Sequence, residues 1–118
     1  MKRITRAVTP SDLRELLEDP PRATLAFVAE GAVQAIPVAF RWRDDRYFVG
    51  TPPEVTPPAG RVKVLVDDGR WYFELHGVWV RGFLAPCGPP LSAPKNLAWF
   101  ELEPEKVVAW HYGRMRPA

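Results

Sequence analysis

From Ala23 onward the apolar residues of this chain recur at every second position, the spacing of half-buried β-strands. Ala23–Ala29 is the first such run, Glu30 and Gly31 form a turn, and Ala32–Trp42 is expected to return as one strand with Ile36, Val38 and Phe40 on one face. Pro37 has no N–H to give to a ladder, so it predicts an edge or a bulge. Arg43, Asp44 and Asp45 read as the next turn and Arg46–Thr51 as a third strand. Val62, Val64 and Val66 then alternate with Lys63, Leu65 and Asp67 up to a turn at Asp68 and Gly69. In the run Arg70–Ala85, Trp71, Phe73 and Leu75 share a face, and Gly77 and Gly82 predict bulges or bends. Pro86–Pro94 reads as an irregular loop, and Ala98–Glu103 and Lys106–Tyr112 as two final strands joined tightly through Pro104.

Before Ala23 the period is helical. Thr9 precedes Pro10, and Asp12 lies three residues after Thr9, a variant capping box with proline at the first helical position. Leu13, Leu16 and Leu17 make one apolar stripe, and Pro20 and Pro21 stop the segment, which predicts a helix over Pro10–Glu18. Proline is abundant, 14 of 118 residues, against a usual share of roughly 5%. That argues against a helical bundle. Six or seven strands with short connections and one short helix favour a mainly β, antiparallel, closed or partly closed barrel, a single domain over residues 1–118.

The formal charge is +2 and basic residues are interspersed with acidic ones, so the stripe that nucleic-acid binding needs is weak, and a small barrel binding single-stranded nucleic acid through exposed aromatics and arginines is only a third, weaker reading. The locally basic ends, Lys2, Arg3 and Arg6, then Arg114 and Arg116, read as solvated, frayed termini. A single cysteine, Cys87, excludes an intrachain disulfide and offers no metal-ligand spacing. No apolar run resembles a signal peptide or a membrane span, and a cytoplasmic protein is expected.

The segment ATLAFVAEGAVQAIPVAFRWRDDRYFVGT, residues 23–51, resembles the opening of the pyridoxamine 5′-phosphate oxidase-like, FMN-binding split-barrel family. The resemblance rests on the ATLA strand, a turn glycine, the return strand with its P-V-x-F pattern and a third strand of the Y-F-x-x-T type. GRVKVLVDDG and EPEKVVAWHYG further on are also similar to family sequences. What the resemblance implies is a homodimer of split β-barrels with FMN held in clefts at the subunit interface, and flavin-dependent oxidoreductase chemistry. Ile36, Pro37 and Val38 would then supply backbone and apolar contacts to the flavin ring. Arg41 and Thr51 match family positions near the phosphate, Thr56 stands where a loop hydroxyl is expected, and Trp110 is a candidate aromatic from the partner subunit. Catalytic residues are not legible.

One segment departs from the family pattern. Thr51–Gly60 reads TPPEVTPPAG, with Glu54, four prolines and no lysine or arginine before Arg61. Prolines lack the N–H groups that cradle an anion. If FMN is bound, its phosphate must be held by Arg41, Arg61 or Lys63. The competing reading is a split-barrel homodimer that has lost FMN and binds another flat ligand, such as haem or a deazaflavin, or a protein. Trp71, Trp79, Trp99 and Trp110 otherwise read as core or interface aromatics. His76 and His111 read as structural, Cys87 as a loop thiol, and Ser11 and Ser92 lack a nucleophile-elbow setting.

Overall fold

The computed structural model describes residues 2–6, 8–18, 20, 22–55, 57, 60–68 and 76–111. The elements run β1 (Lys2–Arg6), α1 (Pro10–Glu18), β2 (Arg22–Ala29), β3 (Ala32–Pro37), β4 (Ala39–Arg43), β5 (Arg46–Thr51), β6 (Arg61–Asp68), β7 (His76–Cys87) and β8 (Ala98–His111). Seven strands form one curled antiparallel sheet in the order β3-β2-β6-β7-β8-β5-β4, and β1 adds to β8 in parallel. The concave side holds the core, in which Leu25, Val49, Val64, Val66, Val78, Val80, Leu102 and Ala109 are almost fully buried. Helix α1 lays Leu13, Leu16 and Leu17 on that core. Its start is the capping box read from the sequence: Asp12 N–H donates to Thr9 Oγ1 at 3.1 Å and Thr9 N–H donates to the Asp12 carboxylate at 2.9 Å.

The expected return strand Ala32–Trp42 is two strands, not one. After Pro37, paired with Thr24, Val38 donates one more bond to the Ala23 carbonyl at 3.1 Å, and the chain then leaves β2 to pair with β5. The two halves lie at opposite ends of the strand order, so Val38 bridges the seam where the barrel would close. The last two strands are the reverse case, one continuous β8 of 14 residues. Arg81 faces Lys106 whereas Gly82 faces Pro104, which leaves Glu105 as the extra residue of a β-bulge. Proline is tolerated there because a bulge leaves part of the ladder unpaired. Gly82 is what lets the strands close at this point, since a methyl group on it would overlap the Glu103 carbonyl oxygen.

Three further expectations change. Lys2 and Arg3 lie in a strand rather than in a frayed end, with Lys2 opposite Lys106 and Arg3 opposite Val107. Strand β7 runs through Pro86 and Cys87, so the loop begins at Gly88 and Cys87 is a half-buried strand residue. Gly82 sits at a register shift, but Gly77 does not: it is small because a Cβ there would lie 2.9 Å from the Trp110 indole. Trp71, Phe73 and Leu75 lie outside the described residues.

Candidate functional site

A cavity of about 390 Å³ lies at the seam, bounded by Glu18 at the end of α1, by Ala23 on β2, by Val38, and by Ala39, Arg41 and Arg43 of β4. Strand alternation builds its polar side: Phe40 and Trp42 turn toward the core, so Arg41 and Arg43 project together to the other face. Arg22 enters from β2. Its guanidinium is held by Asp67, with Nε at 3.0 Å and the nearer Nη at 2.9 Å, and this pairing holds its pKa above the ordinary value. Arg41 and Arg43 donate to backbone carbonyls instead, those of Phe40 at 2.8 Å and Trp42 at 2.9 Å. Among the described residues neither has a carboxylate partner, which leaves each with further N–H donors for an anion.

Of the residues singled out in the sequence, the structure brings Val38 and Arg41 together here. Pro37 is exposed on β3 at the end of the sheet, and Ile36 packs partly on the core. Thr51 ends β5 with its side chain fully buried and its Oγ1 without a hydrogen-bond partner among the described residues. Thr56 lies outside the described residues. Trp110 pairs with Gly77 on the β7–β8 ladder.

Arg61 and Lys63 are elsewhere and engaged. Both are on the outer side of β6, and neither lines the seam cavity. Asp67 is opposite Arg22 while Lys63 is opposite Ala26, which sets Lys63 about 13 Å along the strand from the Arg22 end. Arg61 donates to both oxygens of Glu105, and the Lys63 ammonium stands 4.0 Å from the centroid of the Trp79 ring, a cation–π contact. Arg22 and Arg43 were not singled out from the sequence. The signal for Arg43 was its position two residues after Arg41 on a strand; Arg22 had none, since its place at the seam depends on how far the sheet curls.

Other candidates resolve into structure. Trp99 is buried under the 88–97 loop, donating its indole N–H to the Pro94 carbonyl at 2.7 Å, beside Phe48 and Ala93. His76 and His111 stack with centroids 5.2 Å apart, and Asp68 approaches His76 at 3.9 Å. Burial pushes the Cys87 thiol up, with Glu101 adding to the shift and Arg46 opposing it, so it is not an activated nucleophile. No group of three His, Cys, Asp or Glu able to hold a metal occurs among the described residues. No helix there is long and apolar enough to cross a membrane.

Solved structures share this architecture. The conserved hypothetical protein Rv2991 of Mycobacterium tuberculosis superposes with a TM-score of 0.72 at 14% identity, over 100% of this chain and 94% of that one. The FAD-binding protein of Mycobacterium smegmatis gives 0.65 at 14% identity, over 85% of this chain and 93% of its own. A candidate pyridoxamine 5′-phosphate oxidase of Listeria innocua gives 0.64 at 12% identity, over 86% and 95%. No sequence model of a protein family and no curated protein sequence matches the chain. The chain therefore shares the split-barrel fold of these proteins.

Proposed function

We propose that this chain binds FMN at the seam and is a flavin-dependent oxidoreductase related to pyridoxamine 5′-phosphate oxidases, working as a cytoplasmic homodimer. What supports flavin nucleotide binding is the donor set: Arg41 and Arg43 side by side on β4, without carboxylate partners among the described residues. Planar guanidiniums suit a phosphate dianion, and each charge-assisted contact contributes about 1.5–3 kcal/mol. Arg22 is neutralised by Asp67 and Glu18 also lines the cavity, so the phosphate falls to Arg41 and Arg43, while Ala23, Val38 and Ala39 form the apolar wall. The bound flavin would supply the electron-transfer chemistry, while the protein binds, orients and shields it. In this assignment the backbone of Ile36 and Pro37, on the edge strand before Val38, would be what the chain offers to the ring. Arg61 and Lys63 remain with Glu105 and Trp79.

A homodimer is favoured by the outer sheet surface, where Leu65, Trp79, Val108 and Trp110 stay only half-covered and Val28 and Val33 are 57% and 79% exposed. The test is the colour of the purified protein and its titration with FMN, FAD and riboflavin. A yellow protein, or one that binds FMN more tightly than riboflavin, supports the assignment. Colourless protein with no measurable affinity for any of the three overturns it, and a monomer in sedimentation overturns the dimer.

A further inference from the structure

We infer that the barrel end beneath α1 is a second binding site, separate from the seam, that takes an apolar monocarboxylate. A cavity of about 480 Å³ lies between α1, β1 and the turn joining β4 to β5, within the usual span of roughly 300–1,000 Å³ for small-molecule pockets. Leu13, Leu17, Val8 and Trp42 wall it, and Tyr47 lies at its floor. Leu17 and Tyr47 are each 3% exposed, so these walls are parts of the packed core rather than mobile flaps. Burial pushes the Tyr47 phenol above its ordinary value, as a dry floor should, while Arg3 acts in the opposite direction.

The charge pattern selects the ligand. Two cations line the cavity, Arg3 and Arg14. Arg14 is already answered by Glu18 at 2.8 Å, one helical turn away. Arg3 is not. Parallel pairing sets it opposite Val107, on the core-facing side of β1, where it lines the cavity with Tyr47, and among the described residues no carboxylate pairs with it. A guanidinium beside an apolar hollow matches a carboxylate head with a hydrocarbon tail. Asp45 on the rim limits the ligand to one negative charge, because a dianion would meet its carboxylate.

Calorimetric titration of the full chain with octanoate and with octan-1-ol tests the inference. Octanoate is expected to bind saturably, and the alcohol at least about tenfold more weakly, the loss of a charge-assisted contact. Arg3→Gln should erase the preference for the acid and Arg3→Lys should retain most of it. Thr5→Trp, which fills the cavity from its rim, should abolish binding of both. Equal affinity for acid and alcohol, no binding of octanoate, or unchanged binding in Thr5→Trp each overturns the site. The comparison of ligands on the unsubstituted chain decides the matter even if Arg3→Gln does not fold.

Discussion

Arg61 on β6 and Glu105 in the bulge of β8 form an ion pair across the intervening strand, with the Arg61 Nε 3.0 Å from both carboxylate oxygens. Arg81, on that intervening strand, adds a third bond at 2.8 Å. The bulge is what makes this possible, because the residue it expels from the ladder is the acid that collects both cations.

The Glu105 carboxyl is held below its ordinary value, chiefly by the hydrogen bond from Arg61 and further by Arg81. A group whose folded pKa is depressed stabilises above its unfolded pKa, about 4.3 for glutamate, and loses that contribution as pH falls through the folded value. Glu105→Gln should therefore melt below the unsubstituted protein at neutral pH, and the gap should close on acidification. Thermal melts across this range check it; a gap independent of pH would remove the ion pair as its cause.

Gly82→Ala places a methyl against the Glu103 carbonyl oxygen, a backbone atom with little room to yield. We expect a loss of about 3 kcal/mol or more in denaturant unfolding. Gly60→Ala is the control, since among the described residues nothing lies within 4 Å of the added carbon. Similar losses in both would show that glycine flexibility, and not this close approach, is at work.

Thr51 buries a hydroxyl that has no partner among the described residues. Thr51→Val keeps its shape and removes the unpaired group, so the ligand-free protein should gain about 1 kcal/mol. A destabilised variant would mean that the hydroxyl is satisfied in solution.

Arg41→Ala should weaken FMN binding about ten- to hundredfold and leave riboflavin, which has no phosphate, unchanged. Arg43→Ala should behave alike. Parallel losses for both ligands would assign these arginines a general structural role.

Much of the fold was legible because its signals are local. The α1 cap from Thr9 to Asp12, the leucine stripe and the alternation of Val62, Val64 and Val66 depend on neighbours in sequence, and each appears as read. What escaped depends on distant partners. Strand β1 has no apolar alternation of its own and exists through pairing with β8. Pro104 looked like a strand break because the matching Gly82, which allows the bulge, lies more than twenty residues earlier. Pro37 did flag an edge, but where the chain goes next is set by β5, which takes up Ala39–Arg43. Of the arginines lining the seam cavity, Arg41 was named through its match to a basic position of the resembled family, whereas Arg22 joins it only through the curl of the whole sheet.

Val38 gives the seam a mechanical character. One residue ties the first edge of the sheet to the last, so the two lips of the opening are held at a fixed point like fabric at the base of a zip. Widening farther along must pivot about that point, and Arg41 and Arg43, three and five residues away, would travel with the moving lip while Arg22 stays with the other.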